Sequence, residues 1–378
     1  MNNKHLHIVT LDTPWPVNYG GVVDLFYKLK ALHQQGVQIH LHCFCKDDQP
    51  QNELRNYCVS VNYYKRTIGF KNFPFNLPYI VHSRNSDDLL QNLNKDNHPI
   101  LLEGIHCTYH LFNNTLNNRK VFVRLHNVEF EYYKHLAKNE PTLLRRWIYL
   151  YESKLLKKYE KAIANKATFI AVSKYDVSLY QKQFNAKRIS FLPVFIEHQK
   201  VQTTITNGSY CLYHGNLSIN ENVKAVNWLL KNVFNTLQIP FVVAGKNPSA
   251  QLIEKVHSNT THCIIENPSG KDLQDLIDKA QLNILPSFNA TGVKLKVINA
   301  LFMGKHCITN QAGVEGSGLE NLCHICNTAE EVKQKIEKLF EQEITQTEID
   351  ERQMPLHQLY NNEENAKKLV QLIWENKL

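Results

Sequence analysis

Leu6-His7-Ile8-Val9-Thr10-Leu11 is an apolar run that stops at Asp12-Thr13-Pro14-Trp15-Pro16 and then reaches Asn18-Tyr19-Gly20-Gly21. After the glycines, Val22, Leu25, Phe26, Leu29 and Leu32 recur at helical spacing; Gln35-Gly36 closes that helix, and Val37 to Phe44 is a second apolar run. Strand, glycine loop, helix and strand in this order describe a parallel pair joined by a crossover.

The same grammar continues outward. Ile100-Leu101-Leu102 and Val121-Phe122-Val123 extend the sheet, a helix is expected from about Thr142 to Ala164, and Thr168 to Val172 adds a strand before a helix start at Ser173 to Asp176. The second half repeats the scheme, with strands at Cys211 to His214, Phe241 to Ala244, Cys263 to Ile265 and Leu282 to Leu285, and helices such as Asn222 to Asn232 and Lys271 to Lys279 between them. The stretch Val194 to Gly208 reads as a linker, and the charged tail from Glu330 to Leu378 reads as helix broken near Pro355. The expected fold class is α/β, with two doubly wound Rossmann-like domains facing across a cleft. Residues 1–196 form the first, residues 197–355 the second, and 356–378 a final helix packing back toward the first. Such sheets bind ligands where their strands end.

The 378 residues are 43% apolar and 21% charged, with 14 Gly and 13 Pro, which excludes disordered, collagenous and low-complexity classes. The net charge of +8 is unevenly placed, with 26 basic and 15 acidic residues up to Ile196 against 17 and 20 after it. The first half therefore carries the whole positive excess, which suggests an anionic partner for it. Nine scattered cysteines, an odd number, cannot all pair within one molecule, and the N-terminal residues lack the features of a signal peptide. No run approaches the roughly 18 apolar residues of a membrane span. A reduced, cytoplasmic protein is expected.

Gly20-Gly21 lies between strand and helix, where backbone N–H groups and the helix dipole favour an anion; a tight turn without a ligand is the alternative. Neither a Walker motif nor G-x-G-x-x-G is present there, which argues against a nucleoside triphosphatase and a dehydrogenase. A second loop is richer: Leu285-Pro286-Ser287-Phe288-Asn289-Ala290-Thr291-Gly292-Val293-Lys294-Leu295-Lys296-Val297-Ile298-Asn299-Ala300-Leu301. Here a buried strand enters a glycine loop and a helix begins with two lysines in its first turn. Cations are disfavoured at a helix N-terminus unless they face an anion, so Lys294 and Lys296 either contact a phosphate or are solvated surface residues.

These motifs, in order, resemble the retaining GT-B glycosyltransferases of family 4, the glycosyl transferases group 1. The resemblance runs from about Ile8 to Leu319. It rests on Gly20-Gly21, Arg124-Leu125-His126-Asn127-Val128-Glu129, Ala171-Val172-Ser173, Tyr213-His214-Gly215-Asn216-Leu217, Val243-Ala244-Gly245, Leu285-Pro286-Ser287 leading into Thr291-Gly292-Val293-Lys294-Leu295-Lys296, Gly304-Lys305 and Gly313-Val314-Glu315-Gly316. It implies transfer of a hexosyl unit from a nucleotide-sugar donor to a hydroxyl, with retention and without a metal or other cofactor. It also implies a donor site on the second domain and an acceptor site on the first. Carried over by residue, it makes His126, Lys294 and Lys296 the catalytic candidates. Donor-binding candidates are Gly20, Gly21, Gly215, Asn216, Gly245, Ser287, Thr291, Gly292, Val293 and Asn299, and acceptor-binding candidates are Asn127 and Glu129.

Two departures stand out. The family's pair of donor-loop glutamates falls on Thr291 and Asn299, which keep hydrogen bonding but not charge. Its arginine and lysine after the domain-opening strand fall on Asn216 and on Asn220-Glu221-Asn222, leaving Lys294 or Lys296 to substitute. These losses keep a non-catalytic nucleotide-sugar-binding subunit in view; a sugar-nucleotide 2-epimerase on the same plan would need an acid and base set that the sequence does not display.

Other candidate sites are weaker. Cys323-His324-Ile325-Cys326 lacks a second pair at zinc-ribbon distance, and His5-His7 and His40-His42 alternate along strands, so no metal is assigned. On the Thr142 to Ala164 helix, Ile148, Tyr151, Leu155, Tyr159 and Ala162 are expected to share one face beside Lys154, Lys157, Lys158 and Lys161. Such a surface suits an anionic bilayer carrying a lipid-linked acceptor, at the inner face of the cytoplasmic membrane, or else simple packing on the sheet. No nucleic-acid motif accompanies the charge, and a nucleic-acid partner is not expected.

Overall fold

A computed structural model describes residues 4–17, 20–45, 51–69 and 75–375. Asn18-Tyr19 of the first glycine loop lie outside these residues. The chain divides into two compact units, one made of the described residues of 1–197 and 360–378, the other His198–Leu359.

In the first unit, β1 (His5–Thr10), β2 (Gln38–Cys45), β3 (Ser60–Lys65), β4 (Ile100–Glu103), β5 (Val121–Leu125), β6 (Thr168–Ala171) and β7 (Ile189–Phe191) form one parallel sheet. Their order is β3-β2-β1-β4-β5-β6-β7. The direction of strand addition reverses between β1 and β4, which opens a crevice at their C-terminal ends. Both faces of a parallel sheet are covered, so its strands are apolar on both sides. Leu6 and Ile8 pack with Phe26, Leu29 and Leu32 of the Gly20–Gln34 helix, while Val9 faces Leu156, Tyr159 and Ile163 on the other side.

The second unit repeats the plan with β8 (Cys211–Asn216), β9 (Phe241–Lys246), β10 (His262–Glu266), β11 (Leu282–Ile284), β12 (His306–Thr309) and β13 (His324–Ile325). Their order is β10-β9-β8-β11-β12-β13, all parallel, with the reversal between β8 and β11. Both units are therefore doubly wound, Rossmann-like α/β sheets.

Three local expectations need correction. Pro355 does not break the tail, because it lies inside a helix spanning Gln346–Tyr360 whose Ile349, Leu356 and Tyr360 are buried. That packing outweighs the one lost backbone hydrogen bond. The supposed linker begins inside the first unit: Val194, Phe195 and Ile196 are buried, and the Asn362 side chain bonds both the N–H and the carbonyl of Ile196. The helix that Asn362 opens, Asn362–Glu375, places Ala366, Leu369 and Ile373 in the same core as Leu29 and Leu32. Lastly, the long basic helix spans Leu143–Ile163 and buries Glu152, Ser153, Leu156, Tyr159, Glu160 and Ile163. Of the expected apolar face only Tyr159 belongs to that buried set; Ile148 and Tyr151 are exposed.

Candidate active site

The first cluster sits at the reversal in the first sheet. Gly20 and Gly21 are the first residues of the Gly20–Gln34 helix, and the next turns bring Asp24 and Lys28 over the ends of β4 and β5. Glu103 ends β4, and its register partner on β5 is Arg124. Lys28 Nζ lies 2.8 Å from both Asp24 Oδ2 and Glu103 Oε1. Arg124 donates to both Asp24 oxygens, at 3.3 and 3.1 Å, and to the carbonyls of Leu192 and Pro193. The backbone N–H of Phe195 adds a further bond to Asp24 Oδ1 at 2.8 Å. Burial would raise the Asp24 carboxyl, but Arg124 and then Lys28 hold it far below the usual carboxylate range. Glu103 is lowered in the same way, against burial, by Lys28 and the His126 bond.

His126 completes this network. Its Nε2 is 3.0 Å from Glu103 Oε2 and its Nδ1 3.8 Å from Asp24 Oδ2. The side chains of Asp24, Lys28, Glu103 and Arg124 are at most 2% exposed, whereas that of His126 is 15% exposed, so His126 is the member offered to a ligand. A carboxylate on Nε2 fixes the orientation and tautomer of the ring, as it does for histidines that must act at their other nitrogen.

Asn127 is half-buried, and Glu129 is buried as the first residue of the Glu129–Asn139 helix. Glu160 caps that helix, accepting from the N–H groups of Glu129 and Phe130 at 3.1 and 3.0 Å and from the Tyr180 hydroxyl at 2.8 Å. Burial first, then the nearby Glu160, push the Glu129 carboxyl up to about 8, and burial does the same to Glu160. A raised carboxyl means that the folded state binds more protons than the unfolded one between the ordinary value and the raised one. This contribution to stability is complete below about 4.5 and is lost as the pH rises through about 8. We expect the melting temperature to fall by a few degrees, roughly, between pH 5 and 8, and Glu129→Gln to flatten that slope; a pH-independent melting temperature would contradict the arrangement.

The second cluster occupies the corresponding reversal in the second sheet. Gly215 and Gly245 are register partners on β8 and β9, and a Cβ at Gly245 would lie 1.9 Å from the Gly215 carbonyl oxygen, so the strand ends approach as only glycine permits. Beyond them Asn216 turns the chain, its Oδ1 accepting from the N–H and hydroxyl of Ser218 at 3.0 and 2.7 Å. Asn222 is placed by its bond to the Asn216 carbonyl and by the Tyr213 hydroxyl, which donates to Asn222 Oδ1 at 3.0 Å.

Lys296 enters this group from the Leu295–Met303 helix. Its ammonium donates to Tyr213 Oη at 2.9 Å and to Asn222 Oδ1 at 3.1 Å, and stands 4.7 Å from the Tyr213 ring centre. Burial pulls its pKa down to about 8 against the effect of Glu221, and Lys294 adds to the fall. The neighbouring His214 is kept neutral by burial, with Lys296 adding to the effect, and its pKa is about 3.

The donor loop itself is tied to both sides. The single Ser287 hydroxyl proton is shared between Glu221 Oε1 at 2.9 Å and the Asn289 carbonyl at 3.0 Å, and Asn310 bonds the Ser287 backbone at both ends. Thr291 is buried, with its N–H and hydroxyl both donating to Asn289 Oδ1 at 2.9 Å, so that hydroxyl holds the loop's shape. Gly292 has φ +65°, the left-handed region, with Val293 following it half-buried. The helix begins one residue later than expected: Lys294 precedes it as N-cap and donates to the Thr291 carbonyl at 2.7 Å, so the two lysines end on different partners. Asn299 lies half-buried on the same helix.

Asp24, Lys28 and Glu103 were not among the sequence-derived candidates. Their signal was there: charges four residues apart on an otherwise apolar helix face, and a carboxylate closing a buried strand. Asp24, Glu103 and His126 bring one ligand atom each within 4.8 Å of one another, and Lys28 and Arg124 already pair with both of these carboxylates. Toward the other end of β1 His7 pairs with His42 at 2.9 Å and His5 with His40 at 3.0 Å, and His98 joins the latter pair. Those rings stack nearly parallel, at 14° for His5 with His98 and 7° for His40 with His98, with one ring nitrogen of each within 4.8 Å of the others. The Cys323 thiol is engaged with Cys307.

Residues 208–342 match the family model described as glycosyl transferases group 1. An uncharacterized 44.6 kDa protein in the cps region of Klebsiella pneumoniae is 28% identical over 331 residues, covering 82% of this chain and 84% of that protein. Among solved structures, sucrose-phosphate synthase from Thermosynechococcus elongatus superposes with a TM-score of 0.71 at 13% identity, over 99% of each chain. TarM does so with a TM-score of 0.71 at 10% identity, over 98% of this chain and 99% of that one. Each doubly wound unit matches a Rossmann-like domain of the GT-B fold seen in these structures. The match to the glycosyl transferases group 1 model falls within the second unit.

Proposed function

We propose that this protein is a retaining glycosyltransferase that moves a hexosyl unit from a nucleotide-sugar donor to a hydroxyl of a glycan or lipid-linked acceptor in surface polysaccharide assembly. The cps-region relative supports the biological setting. The observation that carries the chemistry is Lys296. The family's lysine position falls within Asn220-Glu221-Asn222, and the Lys296 ammonium lies 3.1 Å from Asn222, so the missing cation is supplied from the opposite side of the same crevice.

When the bond between the anomeric carbon and the diphosphate breaks, negative charge grows on the departing oxygens. A positioned ammonium and the N–H groups of a helix start stabilise that charge without needing to reorganise. On this reading no metal ion is needed opposite the diphosphate. Gly215, Gly245 and Gly292 let the backbone approach the nucleotide, Asn216, Ser287, Val293 and Asn299 line its path, and Thr291 shapes the loop. In the first unit, Gly20 and Gly21 offer a helix start suited to an anion, and the resemblance assigns His126 a role toward the donor sugar and Asn127 and Glu129 roles toward the acceptor. The free thiols among the described residues suit action in the reducing cytoplasm.

The uncharged Thr291 and Asn299 favour one other reading, a subunit that binds nucleotide sugars without turnover. His126→Ala separates the two. We expect a variant that still folds, with a melting temperature lowered because the buried Glu103 loses its His126 bond, and at least about a tenfold loss of donor turnover, about 1.4 kcal/mol of transition-state stabilisation. Nucleotide-sugar binding without turnover in the unaltered protein, with lipid-linked acceptors supplied, would favour the binding subunit. Unfolding of the variant would make His126 structural.

A further inference from the structure

From the Leu143–Ile163 helix we infer that its first two turns form a docking surface for an anionic lipid bilayer. Leu143, Leu144 and Trp147 are 70%, 71% and 71% exposed, and Ile148 and Tyr151 continue the patch. At about 100° per residue these five side chains fall in one arc of roughly 140°. Phe75, itself 78% exposed, adjoins the patch, its carbonyl accepting from the Tyr151 hydroxyl at 2.6 Å.

Charge selects the occupant. All six cations of this helix, Arg145, Arg146, Lys154, Lys157, Lys158 and Lys161, are exposed, while both its acids, Glu152 and Glu160, are buried. Arg145 and Arg146 flank the apolar arc, and a groove of about 320 Å³ beside it is lined by Lys134, His135, Lys138 and Arg146, with Glu131 as its one acid. Protein interfaces are depleted in lysine, whereas an apolar arc carrying tryptophan and tyrosine, rimmed by cations, matches the boundary between acyl chains and phosphate headgroups. Among the described residues no helix is long and apolar enough to cross a membrane, so this one would lie in the surface plane. The positive excess of the first half gains its anionic partner here.

The inference adds to the proposed transfer reaction by naming where a lipid-linked acceptor would be met, yet its test is independent of that reaction. The full chain is sedimented with phosphatidylcholine vesicles, with and without phosphatidylglycerol. We expect co-sedimentation with the anionic vesicles, weakened by added salt. Leu144→Glu with Trp147→Glu, or Arg145→Glu with Arg146→Glu, should each weaken it at least about tenfold. Their melting temperatures and nucleotide binding should not change, since the altered side chains are exposed. An unaltered protein that stays in the supernatant, or variants that sediment equally, would overturn the inference. So would self-association in solution that the Leu144→Glu/Trp147→Glu variant abolishes, because the patch would then join two copies. Vesicle binding with no nucleotide binding would keep this surface and sink the transferase reading.

Discussion

Asp24→Ala is expected to destabilise the first unit by about 3–5 kcal/mol, read as a lower denaturation midpoint of the full chain. The carboxylate is the hub of the first cluster, receiving Lys28, two Arg124 nitrogens and the Phe195 N–H. Its loss leaves a fully buried guanidinium with two backbone carbonyls as its remaining bonds in the cluster, and places two cations against the single Glu103 charge. A buried charge stripped of its partner costs far more than the intact pair contributes, so Asp24→Leu combined with Arg124→Met should recover part of the loss. A single variant within about 1 kcal/mol of the unaltered protein would mean that this network is not what holds the strand ends.

Lys296→Met should lower turnover at least about tenfold while leaving the fold intact. Methionine keeps the apolar stem against the Tyr213 ring, and the Tyr213 hydroxyl retains Asn222 as acceptor. Removing a charge that burial already disfavours should leave the melting temperature equal or higher. The pH behaviour gives a second signature. With a pKa of about 8 the free ammonium is half-deprotonated near that pH, and an arriving diphosphate favours the charged form. Nucleotide binding above pH 8 should therefore take up a proton, measurable by calorimetry in buffers of different ionisation enthalpy, and Lys296→Met should abolish that uptake. An unchanged rate would move the phosphate contact elsewhere, Lys294 first.

Much of the fold was legible because parallel strands covered on both faces read as continuous apolar runs, and glycines mark where each turns into a helix. What local pattern missed was settled by tertiary packing. Pro355 sits in mid-helix because Ile349, Leu356 and Tyr360 are anchored around it. The basic helix faces its core with Glu152 and Glu160, which find backbone donors at Tyr79, Glu129 and Phe130, and periodicity gives no hint of those partners. The site divided in the same way. Gly215, Gly245 and Lys296 stand out as motif residues, but that Lys296 reaches Asn222 depends on β8 and β11 being neighbours, a fact of topology. Asp24, Lys28 and Glu103 stand as charges within apolar runs, but their pairing with Arg124 and His126 exists only once the sheet has closed.

A nucleotide-sugar site on the second unit with Lys296 as its cation can be probed by calorimetric titration of the full chain with a panel of nucleoside diphosphates and their sugar conjugates. Saturable binding of one nucleoside diphosphate is expected, weakened at least about tenfold in Lys296→Met. Failure of every nucleotide in the panel to bind, or binding that Lys296→Met leaves unaltered, would contradict it.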